Sequence, residues 1–526
     1  MSNGQWGSTT TVRATARPAP GLPAVSGHQD ALDGIRAIAA LAVLVFHVAG
    51  SSGSLYREYG WLYNGGQIGV PIFFTLSGLL LYRPFAAAVL DVRRPKPSTR
   101  TYLRKRAFRI LPAYWAVVIC FMLTAGLWHI ADPISWGSLL TLTHTYLPEP
   151  WWDSSLGPPH LGQAWSLAVE AAWYLSLPAT AAVLAWYARR TSSNDVGVRA
   201  KRLLRGLAAY AGLSMVYAAV IFLTPYHQNI GLWLPRFFAW FAIGMALAVI
   251  TVWARLEPYG PVPRLCRTVA ASWRACWAGA ALLYVIASTP VTGPLGLGVW
   301  SMDMAWTSIL DVVVSGLCAA AFVAPVALAP GGGDPVMNAI LGNPVMRFLG
   351  RISYSVFLWQ MLIIVGWYDW TGRAFKGSVK TDLPLLLAAT IAVATASYYL
   401  VERPAQRLAR PRRDRPKAKP DRKAQPDRKA QPEPEAKPTQ QAEPEPARKA
   451  EPEPEPARKP EPDRPDRPAE TRKDLPVVRP AVQEDPPDGD PEDGRPGPPS
   501  SARSTLPDLP AKPGGAATAE RPPGRE

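Results

Sequence analysis

The amino-acid sequence predicts an all-α, polytopic membrane protein of about ten transmembrane helices, followed by a disordered C-terminal tail. Three observations carry that prediction. Within residues 1–410, apolar runs near 20 residues recur, the length that crosses a hydrocarbon core and that one soluble fold rarely strings together. The segments between those runs alternate between strongly basic and almost uncharged. Residues 411–526 contain no Phe, Trp or Tyr and hold 29 of the 56 prolines.

Residues 1–30, rich in Gly, Pro and Thr, read as a flexible cytoplasmic leader. The first apolar run starts too late, and is followed by too many others, for a cleaved signal peptide. The membrane domain is expected over 31–404. Its first helix, 34–52, opens with Leu32-Asp33-Gly34-Ile35-Arg36 and passes through Phe46-His47-Val48. The second, 68–83, carries Phe73-Phe74-Thr75-Leu76-Ser77-Gly78, and the third, 107–128, follows a basic cluster, with Pro112 in the first turn where proline is tolerated. The fourth, 162–187, contains Trp165 to Glu170. Apolar runs at 206–224, 230–253, 272–289 and 303–329 supply the fifth to eighth helices. The ninth, 345–366, contains Ser353-Tyr354-Ser355, and the tenth, 383–402, closes with Glu402.

The loops then set the orientation. The 2–3 connection and the start of the third helix carry Arg83, Arg93, Arg94, Lys96, Arg100, Arg104, Lys105, Arg106 and Arg109. The 4–5 connection carries Arg189, Arg190, Arg199, Lys201, Arg202 and Arg205, and the 6–7 connection Arg255, Arg264, Arg267 and Arg274. By contrast, 131–160, 225–229 and 290–302 have no Lys or Arg, and only the 9–10 loop, with Arg373, Lys376 and Lys380, goes against the pattern. The positive-inside rule therefore places both termini in the cytoplasm, with an even number of spans through the cell membrane.

The tail, 405–526, is a separate polymer. Of the 56 basic and 40 acidic residues, 24 of each lie in 411–526, so the net charge of +16 comes wholly from residues 1–410. That excess is accounted for by topogenic anchors beside anionic headgroups and needs no nucleic-acid partner. Tail units repeat, DRKAQP at 421–426 and 427–432, EPARK at 445–449 and 455–459. Such a string buries too little apolar surface to order itself, and its polyproline character could recruit a tail-binding protein. The four cysteines are widely spaced and form no metal-ligand pattern, so no disulfide framework or metal site is expected.

A titratable side chain inside a membrane span is costly and marks function. Arg36 and His47 are eleven residues apart, about 20° past three full helical turns, so they share one face about 16 Å apart. Histidine is the side chain best suited to accept a proton near neutral pH, which makes His47 the candidate general base. Arg106 and Arg109, at i and i+3, also share a face and could grip a phosphate between two guanidinium forks. Glu170 and Glu402 are acidic residues in apolar surroundings, and Glu402 could pair with Arg403 at the interface.

Taken together these residues resemble the membrane acyltransferase-3 family, integral-membrane enzymes that acylate sugars and other envelope or secreted molecules. The matching pieces run in the family's order: Arg36 with His47; Phe73-Phe74 with Ser77-Gly78; Arg106 with Arg109; Trp165-Ser166-Leu167 to Glu170; Gly350 to Ser355; and Glu402 to Pro404. One piece departs, because the family often follows Ser-Tyr-Ser with a histidine where this chain has Gln360.

The resemblance implies a ten-span fold with no bound cofactor and a cytosolic acyl-CoA donor substrate, most often acetyl-CoA. The donor phosphates would lie near Arg106, Arg109 and Arg36. His47 would act on a hydroxyl of a carbohydrate or other small-molecule acceptor. Ser77 or Ser166 are hydroxyl candidates for the oxyanion, with Asp33, Glu170, Tyr354 and Glu402 in support. A polytopic transporter is the alternative, though no internal repeat supports it. A scaffold built around the tail is a third reading.

Overall fold

The computed structural model describes residues 21–25, 29–57, 59–147, 150–152, 154–191, 194–289, 304–331 and 333–409. The expected disordered tail lies outside the described residues beyond Ala409, as does most of the leader. Among the described residues there are helices and no β-strand, with one isolated bridge between Pro23 and Pro330.

Each of the ten apolar runs is a helix. They are α1 (Asp30–Ser51), α2 (Gly69–Leu90), α3 (Thr99–Met122), α4 (Ala164–Arg189), α5 (Val196–Val220), α6 (Phe238–Leu256), α7 (Trp273–Ser288), α8 (Ala305–Ala327), α9 (Pro344–Thr371) and α10 (Val379–Ser397). Eight of them, all but α3 and α7, are long and apolar enough to cross a membrane. A ninth span arises if α7 is joined to the short helix Pro261–Ala271, from which it is bent by 66°. The remaining one, α3, has 24 residues, or about 36 Å of rise. Its first half holds Arg100, Arg104, Lys105, Arg106 and Arg109, which keeps its mean hydropathy low.

The helix ends correct the expectation in several places, and capping explains most of them. Ser98 accepts a hydrogen bond from the Thr101 N–H and starts α3 well before residue 107. Pro112 is therefore inside the helix, not in its first turn, and Arg106 and Arg109 are on the helix wall. Asp195 caps α5 through the Val198 N–H at 3.0 Å, which takes Arg199, Lys201, Arg202 and Arg205 out of the expected loop and onto the helix. Asn343 caps α9, and Gly372 ends it in a left-handed conformation at φ 62°.

The packed domain is also longer at both ends than 31–404. Leu22 is buried, and the Gly331 N–H donates to its carbonyl. At the other end α10 does not close at Glu402: a π-helical turn, Tyr398–Glu402, leads into a further helix, Arg403–Leu408.

Two close helix crossings organise the domain. At the α2–α6 crossing, a Cβ on Gly78 would overlap the Phe241 carbonyl oxygen, and one on Gly244 would overlap that of Thr75. The Ser-Gly of the second helix is thus a packing device that lets two backbones touch. At the α1–α9 crossing Gly350 does the same against the Asp33 carbonyl. Together these crossings bring the polar faces of α1, α2 and α9 around one interior, which α3 and α4 complete.

Candidate active site

Two adjoining cavities lie among the described residues of the bundle. The inner one, 250 Å³, is lined by Arg36 of α1, Ser77 of α2, Arg106 and Arg109 of α3, Glu170 of α4 and Tyr354 of α9. Five helices thus converge on residues singled out from sequence alone. Within it the charges are sorted into pairs. Arg36 Nη1 lies 3.5 Å from Asp33 Oδ1, one turn back on the same helix. Arg109 Nη1 lies 2.9 Å from Glu402 Oε1, whose side chain is fully buried and also accepts from Ser355 (2.9 Å) and Gln406 (2.8 Å). The expected partner of Glu402, Arg403, instead lies over the Tyr399 ring.

The two guanidiniums of α3 are therefore not an equivalent fork. Arg109 is committed to a carboxylate, whereas Arg106 Nε is buried without a hydrogen-bond partner among the described residues. A buried donor left unmet costs free energy, and Arg106 Nε lacks the acceptor that Arg109 has.

The remaining motif residues each have a contact. Ser77 and Tyr174 both donate to Glu170 Oε1, each at 2.5 Å. Ser166 donates to the Gln163 carbonyl at 3.1 Å. Each serine hydroxyl is thus engaged within the protein, and either would have to give up its present partner to serve an oxyanion. Ser353 donates to the Gly350 carbonyl, and the Tyr354 hydroxyl donates to the Ile110 carbonyl of α3 at 2.8 Å. Tyr354 thereby ties α9 to the helix that carries both arginines.

The outer cavity, 510 Å³, contains His47 and has mostly aromatic and apolar walls, among them Phe46, Trp165, Phe237, Trp240 and Phe357. His47 Nδ1 is buried without a hydrogen-bond partner among the described residues. Gln360, where the family often has histidine, is itself fully buried, with its Nε2 donating to the Phe357 carbonyl at 3.3 Å and its Oε1 likewise unpartnered among the described residues. Arg36 and His47 lie on one side of α1 but face different cavities. The cavities meet where Val70, Ser166 and Phe357 line both.

Two charged groups on the outer cavity were missed. Arg236, fully buried, lies 3.1 Å from Asp311 Oδ2, and Ser315 donates to Asp311 Oδ1 at 3.1 Å. Asp311 is the lone carboxylate of an otherwise apolar run, and that was the available signal.

Outside the spans, His160 Nε2 lies 3.0 Å from Asp369, near the C-terminal end of α9. Burial pushes its pKa down, against the opposing pull of Asp369. His144, in the same outer segment, is driven by burial down to about 4.

A helical membrane bundle with a basic cavity abutting one that holds an imidazole has the parts a membrane group-transfer enzyme would need. Residues 29–402 match the family model described as an acyltransferase domain, and the chain belongs to that acyltransferase-3 family. Membership sets aside the transporter alternative. The chain is similar to the peptidoglycan O-acetyltransferase OatA of Listeria monocytogenes, 24% identical over 351 residues, covering 63% of this chain and 49% of that one. It is also similar to YrhL of Bacillus subtilis, provisionally named a peptidoglycan O-acetyltransferase, 31% identical over 162 residues, 28% of this chain and 23% of that one. The chain thus spans half or less of the length of these curated relatives. No solved structure matches it.

Proposed function

We propose that the protein moves an acyl group, most often acetyl, from cytosolic acyl-CoA to a hydroxyl of an envelope carbohydrate on the opposite side of the cell membrane. Both termini would lie in the cytoplasm, as the basic loops require. The observation that carries the reading is the contact of the two cavities at Val70, Ser166 and Phe357. An acyl thioester held from the Arg106 side would present its carbonyl at this junction, and an acceptor in the outer cavity would approach it past His47.

His47 would take the proton of the acceptor hydroxyl as its oxygen attacks the thioester carbonyl. The tetrahedral intermediate then expels the CoA thiolate, which takes up that proton. A positioned base of this kind is worth about 10²–10⁴ in rate. The names of the two relatives favour a peptidoglycan-type glycan as the acceptor. The test supplies labelled acetyl-CoA to inverted membrane vesicles loaded with uncross-linked glycan strands. Base-labile label on the glycan is the expected result. Its absence from vesicles holding folded wild-type protein would overturn the reading.

A further inference from the structure

We propose that a third cavity, at the inner ends of α2 and α4, holds the 3′-phosphorylated adenosine end of the acyl-CoA donor. The inference rests on the donor reading above and adds a second binding element to it. This cavity, 460 Å³, falls within the ~300–1,000 Å³ range of small-molecule sites. Lys96, Arg189 and Arg190 line it, and no carboxylate does.

Two of these cations are held in place. Arg189 Nη2 donates to the Ala88 carbonyl at 3.1 Å, and the Arg190 guanidinium stacks 3.9 Å above the Trp186 ring. The α4 wall carries Ala181, Ala182 and Ala185 beside Trp186, a shallow apolar surface on which a purine can lie with phosphate oxygens turned to the cations.

Position makes the assignment to the donor. The α2 helix lines all three cavities in sequence: Val70 at the junction, Ser77 in the inner cavity, Ala88 in the third. At 1.5 Å per residue, Ser77 and Ala88 are about 16 Å apart along the axis. The α4 helix repeats the order with Ser166, Glu170 and Ala185.

Behind the wall of the third cavity, Tyr102 packs against Phe85. Its ring is edge-on to Phe85, 5.8 Å away, and Arg106 and Glu170 act on it electrostatically from the inner side. Its hydroxyl is buried without a hydrogen-bond partner among the described residues. An acyl-CoA is an extended molecule with its thioester at one end and its phosphorylated adenosine at the other, and this file of cavities matches that order.

The test is calorimetric binding of CoA and of 3′-dephospho-CoA to the full-length protein in nanodiscs of zwitterionic lipid. Lys96→Gln/Arg190→Gln changes two exposed side chains and should fold normally. Wild type is expected to prefer CoA by about tenfold or more, the worth of one charge-assisted contact. The double variant should lose that preference while keeping its affinity for dephospho-CoA. Arg106→Ala should weaken both ligands alike.

Equal wild-type affinity for the two ligands, or an unchanged preference in the double variant, overturns the inference and leaves the donor reading standing. Failure of wild type to bind either ligand overturns both. Loss of co-purified anionic phospholipid from the double variant, with its CoA preference intact, would give the cavity to a lipid headgroup instead.

Discussion

Replacing Arg109 with alanine should unfold the protein more readily, while replacing Arg106 should not, although the two residues sit one turn apart in the same cavity. Arg109 is the counter-ion of Glu402, whose side chain is 0% exposed, against 29% for Arg109 itself. Removing one partner of a buried pair typically costs about 3–5 kcal/mol. Here Glu402 keeps hydrogen bonds from Ser355 and Gln406, and the partial exposure of Arg109 admits water, so the cost falls below that range, to about 2–3 kcal/mol. Adding Glu402→Gln to Arg109→Ala removes the stranded charge and should restore most of that loss. Arg106 Nε satisfies no protein acceptor, so Arg106→Ala should change stability by less than about 0.5 kcal/mol and weaken CoA binding by about 1.5–3 kcal/mol. Thermal unfolding followed by tryptophan fluorescence, beside calorimetric CoA titration, reads both quantities. If Arg109→Ala melts like wild type and loses the same CoA affinity as Arg106→Ala, the two arginines are one phosphate fork and the sorting described above is wrong.

Three further outcomes follow from the same structure. His47→Ala should lower acyl transfer at least about 10²-fold with normal membrane insertion, measured as turnover per folded protein. Gly244→Leu would drive a side chain into the Thr75 carbonyl and should collapse the monodisperse peak in size-exclusion chromatography, whereas Gly279→Ala, with open space around it, should leave that peak unchanged. Burial holds His144 at about 4, so between the ordinary histidine value of about 6.5 and pH 4 the unfolded chain binds a proton that the folded chain does not. Stability is then whole above pH ~6.5 and falls by up to ~3 kcal/mol as pH drops toward 4, and His144→Asn should flatten that profile in thermal melts.

The helices were legible because an apolar run of membrane length has few other uses, and all ten runs proved helical. Their ends were not, since a cap such as Ser98 or Asp195 is one polar residue among many, and arginines on an exposed helical wall look the same in sequence as arginines in a loop. The inner-cavity residues could be chosen one at a time by type and spacing. Their pairing could not, because Arg109 meets Glu402 only after α3 packs beside the end of the last helix. Arg236 and Asp311 show the same limit, two lone charges 75 residues apart whose mutual neutralisation exists only in the folded bundle.

The wall formed by Val70, Ser166 and Phe357 also bears on energy conservation. An enzyme open to water from both faces of a coupling membrane risks becoming a leak for protons, and such a leak would dissipate the gradient that powers the cell. Phe357 presents an aromatic ring at this point, braced edge-on by Phe73 at 6.3 Å, where the basic pocket meets the mostly apolar one. A Phe357→Gly protein reconstituted in pH-jump liposomes should relax the imposed gradient faster than wild type, and equal relaxation would place the insulating barrier elsewhere. If the proposed thioester reacts at this ring pair, hydrated ions would be turned back there, and chemistry would pass between compartments that must remain electrically apart.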